Sequence, residues 1–339
     1  MQKDMTRRLI ETSVRGALAR CQQSPGRAVR NLVDLGLNFS RGKLQKRLLT
    51  TIQTMLCNPD SAYYELVRDT VAHVDNERLL RFGVNLGYEG CTKGARKIRA
   101  IEAENGFNVP WALSLTVEGG LAGPAAKRYR EIVRQGRGLG IHTFLLNAAD
   151  DPAPMAALPE TAEDGAFVLF LESGQVTGGL IERLRDVPNI LAAVHAGPGA
   201  QQACARLRAA GYPYAVWGQY ADPAPILSGQ WLESAPPLHP ILALLCPAKS
   251  CAGEQQRAVG DYVRAVRERQ QYPVVAMELK QDLLWIDDII SEDRAAAYFD
   301  RCGDLHTVDG DGYGLGCNLF SADLQDIFRR ALPHAAAAR

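Results

Sequence analysis

Residues 109–146, VPWALSLTVEGGLAGPAAKRYREIVRQGRGLGIHTFLL, decide how the chain reads. An apolar run (WALSLTV) is followed by a small-residue loop, then a helical pattern with a Gly-rich end, then a second apolar run (IHTFLL). Strand, helix and strand in that order imply parallel strands joined by a right-handed crossover. The loop after such a strand usually carries the chemistry. Here it is GGLAGPAA, with no side chain able to ligate, attack or transfer a proton.

The pattern repeats downstream. AFVLFLE, ILAAVHA, YAVWGQY, ILALLC and VVAMEL read as further strands, separated by helical stretches such as TGGLIERLRDV, AQQACARLRAAG and GEQQRAVGDYVRAVRERQQ. Six or seven strands suit a partial TIM-like (β/α)6 barrel or an open doubly wound sheet. Upstream, residues 6–105 show apolar positions three and four apart, the period of amphipathic helices. Asp60 or Ser61 is expected to cap the helix after Asn58-Pro59, and Asp75-Asn76 similarly precedes NERLLRF. A break is expected between Tyr88 and Thr92. The tail reads as a Gly/Asp-rich hairpin around DGDGYGLG and one helix, with ALPHAAAAR as a frayed end. Three regions result: helices over 1–107, the barrel over 108–290, and hairpin plus helix over 291–339.

The chain has 339 residues, is 47% hydrophobic and has a formal net charge of zero, so no bulk field favours nucleic acid. Residues 1–50 nevertheless hold 11 Lys/Arg against 3 Asp/Glu. A basic amphipathic start of this kind is usually a solvated face, but it also suits a partner or peripheral contact with an anionic membrane. There is no membrane-spanning run and no signal-peptide pattern. Eight scattered cysteines fit reduced thiols and a cytoplasmic location.

The motifs that could carry chemistry are few. The glycines of GDGYGLG suit turns better than a phosphate cradle. Cys246 and Cys251 form the only close cysteine pair, beside Lys249 at a strand end, and lack the further ligands of a zinc or cluster site. His195 and His239 lie nearest strand ends, where a lone histidine is more often structural than a base. Glu118, Glu172, Glu278 and Asp282 fall at strand ends and could converge on one mouth or merely cap helices. With Asn147, Gln219, His195, Cys246 and Cys251 they form the candidate mouth.

The segments NGFNVPWALSLTVEGG and YREIVRQGRGLGIHTFLL resemble a branch of the radical SAM enzymes. Its pattern runs "nIPWAiLlDPTSACNLhCtGCWA" and then "IIRQGKELGvymyiytGGEPL". The match is sharpest at Asn108–Ala112 and Ile132–Gly136, and extends diffusely over residues 25–320. Upstream, the match is NPDSAYYELVRDTVAHVDNERLLRFGVNLGYEG. Downstream, YPVVAMELKQD and LHTVDGDGYGLGC match the branch's C-terminal SPASM/twitch-like tail. The resemblance implies a partial barrel holding a [4Fe-4S] cluster on a CxxxCxxC loop, with SAM on the fourth iron.

The departures decide what is expected of this chain. The family's first cysteine falls at Gly120, and the shortened loop around Gly119, Gly120, Gly123 and Pro124 supplies no thiolate. The SAM-contacting GGE reads Asn147-Ala148-Ala149-Asp150. Of the tail's cysteines only Cys317 keeps a matching place. The expectation is therefore a degenerate member with no cofactor and no metal, acting as a non-catalytic partner of an active radical SAM homologue or as a homodimer. Two other readings remain open: an enzyme reusing the mouth for different chemistry, and a small-molecule or lipid binder. Whether Trp217, Trp231 or Trp285 fills the vacated space is a further question.

Overall fold

The computed structural model describes residues 4–21, 27, 30, 31, 33, 34, 36, 37, 40, 43–117, 123–308 and 316–334. Glu118, Gly119, Gly120 and most of DGDGYGLG lie outside the described residues. Seven strands, β1 (Ala112–Val117), β2 (Thr143–Ala148), β3 (Ala166–Leu171), β4 (Ile190–His195), β5 (Tyr214–Tyr220), β6 (Leu242–Pro247) and β7 (Val275–Glu278), are parallel neighbours in chain order. Right-handed crossovers that always step the same way put every connecting helix on one face and curl the sheet into a partial barrel. A doubly wound sheet would reverse its order partway, and this one does not. Two short strands complete the sheet beyond β1: β8 (Ala297–Phe299), parallel to β1, and β9 (Leu305–Thr307), antiparallel to β8.

The helices preceding β1 are α1 (Met5–Cys21), α2 (Lys43–Met55), α3 (Tyr63–His73), α4 (Asn76–Val84) and α5 (Ala95–Asn105). Those of six residues or more that follow are α6 (Gly123–Leu139), α7 (Gly178–Arg183), α8 (Ala200–Ala209), α9 (Gly253–Arg269), α10 (Leu279–Ser291) and α11 (Leu324–Ala331). Asp75 caps α4 by accepting from the amides of Glu77 and Arg78. Ser61 accepts from the Tyr63 amide at 3.2 Å, but the residue at the N-cap of α3 is Ala62, which has no such side chain. Asp60 takes no part.

The expected break after Tyr88 is absent. Helix α4 runs into a π-helix, Asn85–Gly94, and on into α5 without interruption. Nothing local in NLGYEGCTKG favours this wide, rare winding, so its stability comes from what it touches. Asn85 Nδ2 donates to the carbonyls of Glu163 and Gly165 just before β3, at 2.8 and 2.7 Å. Phe82 and Leu86 insert into the inner apolar face formed by Leu145, Val168, Phe170, Leu191, Ala193, Ala215 and Leu244. Arg78 stacks on Tyr212, 3.8 Å from the ring centre. The helical region thus seals the N-terminal end of the barrel.

The seal requires glycine on both sides. A Cβ on Gly94 would stand 2.4 Å from the Gly140 carbonyl oxygen and 2.7 Å from that of Glu89. A Cβ on Gly140, whose φ is +100°, would stand 2.8 Å from the Gly94 oxygen. The outer face packs Phe144 on Phe167, 5.0 Å between ring centres, beneath Tyr129, Ile132 and Val133 of α6.

The opening Asn108–Trp111 stretch is fastened from three sides. Val109 donates its amide to Glu102, Trp111 to Asp287, and the Asn108 amide to the Leu332 carbonyl, at 2.9, 2.9 and 2.7 Å. Pro333 bridges Phe107, so the chain is docked as far as residue 334 where a frayed end was expected. Burial pushes the Asp287 carboxyl up to about 7 against the pull of its amide donors.

Two predictions follow from these contacts. Gly94→Ala is expected to lower the urea-unfolding stability by about 1–3 kcal/mol, although alanine is the better helix former. Gly83→Ala, where a Cβ meets nothing within 4 Å, should instead be neutral or stabilising. Because the Asp287 carboxyl titrates higher folded than unfolded, its contribution is present below about pH 4 and lost as pH rises through about 7. Asp287→Asn should therefore gain on the parent progressively between pH 4 and 8 in urea midpoints, and parallel curves would contradict this.

Candidate functional site

The C-terminal ends of parallel strands are where such barrels place their chemistry. Because side chains alternate along a strand, only every second residue near these ends faces the inside of the barrel. On β3, β4 and β5 this places Glu172, His195 and Trp217 together. His195 Nδ1 lies 3.2 Å from Glu172 Oε2, and its ring lies 4.6 Å from the Trp217 ring. Trp217 is fixed by donating its indole N–H to the Leu171 carbonyl at 3.2 Å and by an edge contact with Phe170. Ser173 Oγ donates to the His195 carbonyl, and Gln175 receives the Glu172 amide. Both Glu172 and His195 keep substantial exposure, 61% and 36% of the side chain, so the pair can meet a ligand.

The other inner positions carry neutral groups. Asn147 donates from Nδ2 to Ser114 Oγ at 3.2 Å, joining the mouth ends of β2 and β1. Gln219 is exposed and stands in register with half-buried Cys246 on β6. Burial pushes the Cys246 thiol up to about 12, which keeps it protonated and a poor nucleophile at neutral pH.

Three candidates are engaged elsewhere. Glu278 faces the outer side, fully buried. It accepts from Tyr220 OH and from the Gln281 amide, each at 2.6 Å, and so caps α10. Desolvation raises its carboxyl above the usual range. Asp282 is held by both terminal nitrogens of Arg267 at 2.6 and 2.7 Å. Cys251 is buried in the turn before α9, its thiol against the Ala252 carbonyl and Gln255. The strand-end spacing placed these residues near the mouth, but the alternation of β7 turns Glu278 away from it, the first turn of α10 does so for Asp282, and the turn before α9 buries Cys251. Of Trp217, Trp231 and Trp285, only Trp217 enters the barrel. Trp231 packs over Gly218 from outside, and Trp285 lies under Arg47.

Among the described residues, one group could bring three metal-type donors together: Glu89, His142 and Asp164, with donor atoms within 4.8 Å of one another. It lies at the sealed end, since His142 precedes β2 and Asp164 precedes β3. No motif spacing relates positions 89, 142 and 164; only the π-helix brings Glu89 to the two strand starts. Arg7 and Lys93 pair with Glu89 at 2.8 and 3.1 Å, and Arg137 with Asp164 at 2.5 Å. Burial lowers the His142 pKa, which favours the neutral imidazole. Three fixed cations already answer the two carboxylates, which makes the group an ion-pair lock and a repulsive place for a dication.

Among the described residues, no three thiols stand together as the cluster implied by the family resemblance would need. Gly123 (φ +57°) and Pro124 open α6 directly, and neither residue offers a ligand atom. The remaining described thiols are dispersed: Cys57 after α2, Cys91 in the π-helix, Cys204 in α8, Cys302 between β8 and β9, and Cys317 in the tail. Burial pushes Cys91 and Cys204 up to about 12.

No protein-family model matches the chain, and no curated protein matches it. Among solved structures, it is similar to Streptococcus suis SuiB bound to S-adenosylmethionine (TM-score 0.49, 12% identity, 72% of this chain and 70% of that one). SuiB alone aligns at TM-score 0.47 and 12% identity over 72% of each chain. SuiB bound to its precursor peptide SuiA aligns at 0.49 and 13% over 73% and 71%. The architecture above rests on strand order and register.

Proposed function

We propose that the chain is a partial (β/α) barrel without iron–sulfur or SAM chemistry, working as a non-catalytic partner of an active biosynthetic enzyme, in the first place a radical SAM homologue. The observation that carries this reading is the fate of the mouth residues. The loop after β1 offers Gly, Ala and Pro where thiolates would be needed. Glu278, Asp282 and Cys251 are spent on a cap, an ion pair and a turn. What persists is a well-packed scaffold whose described mouth residues are mostly neutral apart from the Glu172–His195 pair. A scaffold kept without its reactive groups contributes by binding.

Anaerobic reconstitution with iron and sulfide tests this directly. The expected result is no cluster absorption and no cleavage of SAM; a stable cluster with formation of 5′-deoxyadenosine would overturn the proposal.

One observation favours a second reading, an enzyme of different chemistry. Glu172 and His195 form an exposed carboxylate–imidazole pair, the arrangement by which a side chain orients a general base. The test is to denature purified protein and identify released small molecules by mass spectrometry. A metabolite present in the parent and in Glu172→Gln but lost in His195→Ala would favour a mouth ligand held by the imidazole; no released compound would remove this reading's support.

A further inference from the structure

Away from the mouth, helix α6 departs most from the chain's overall neutrality. It carries Lys127, Arg128, Arg130, Arg134 and Arg137 against one acid, Glu131. Three of these cations have partners within the fold. Arg128 donates to the carbonyls of Leu319 and Ala322 and pairs with Asp323. Arg137 pairs with Asp164, and Arg134 forks onto Glu131 at 2.7 and 2.5 Å. Lys127 and Arg130 are exposed, and among the described residues no carboxylate pairs with either.

Lys127, Arg130, Arg134 and Arg137 line a groove of about 390 Å³ together with Glu131, Val133 and Thr161. Positions 127, 130, 134 and 137 step by three and four, so they share one face of the helix. The ten steps from 127 to 137, at 1.5 Å each, make a row about 15 Å long. That exceeds any single small anion and equals about four or five residues of extended chain. Guanidinium forks match carboxylates in two-point geometry. The basic row is narrow: Glu131 lies within it, and Glu160, Glu163 and Asp164 flank Thr161. A nucleic acid, with charge on every residue and much greater breadth, would meet these acids as well.

We propose that the α6 groove docks an extended segment of a partner polypeptide rich in Asp and Glu, with Lys127 and Arg130 as the free contacts and Arg134 and Arg137 as the fixed ends of the row. This inference rests on the partner reading above and names the surface through which it would act.

The test is fluorescence anisotropy of a fluorescein-labelled oligoglutamate peptide titrated with the full chain. Binding that weakens with added salt is expected. Lys127→Glu with Arg130→Glu should weaken it about tenfold or more, and Lys127→Gln with Arg130→Gln by less. Both positions are exposed, so circular dichroism melting should match the parent. His195→Ala should bind like the parent. No binding, binding indifferent to the substitutions, or equal or tighter binding of a labelled oligothymidylate would each overturn the assignment. A cluster formed on reconstitution would overturn the partner reading without altering this titration, and a flat titration would overturn the groove without producing a cluster.

Discussion

The contact on which the rest depends is the backbone approach of Gly94 to Gly140. Each glycine occupies the space where the other's Cβ would fall, at 2.4 and 2.8 Å from the opposing carbonyl oxygen. This closeness lets the end of the π-helix lie against the turn that leads into β2. Glu89 is then carried under the strand starts, where Arg7, Lys93 and Arg137 balance it and Asp164. Phe82 and Leu86 enter the barrel from the same direction. One end is thereby closed by packing and charge, and the strand ends of the mouth form the other.

The two ends differ in what their polar groups can do. At the sealed end the charges are saturated and burial favours the neutral form of His142, so the groups hold the helices to the barrel. At the mouth, exposed Glu172 pairs with His195, whose ring lies against the fixed Trp217 indole, while Asn147 and Gln219 add neutral hydrogen-bonding capacity. This is a surface able to bind, without the donor set that the family resemblance would require for its cofactor. The cationic row on α6 faces outward from a third direction and extends the same theme of association.

Much of the barrel was legible because buried parallel strands write themselves as apolar runs between Gly, Pro and Asp punctuation. AFVLFL is buried at every position and bounded by Gly165 and Glu172. The π-helix was illegible for the opposite reason: NLGYEGCTKG looks like a break, and only contacts distant in sequence hold it. The site was legible in part. Strand ends identified Glu172 and His195, but the two-residue alternation of β7 decides that Met277 faces inward and Glu278 outward, and a slip of one residue in reading that strand reverses the assignment. The Glu89, His142 and Asp164 lock had no signal in spacing because its members meet only after the sheet has formed.

We propose that this barrel serves by association. Native mass spectrometry of the chain isolated from its own host measures that most directly. The account predicts a stoichiometric complex with a second polypeptide that dissociates as salt is raised. A chain recovered alone, carrying an iron–sulfur cluster and cleaving SAM, would contradict it.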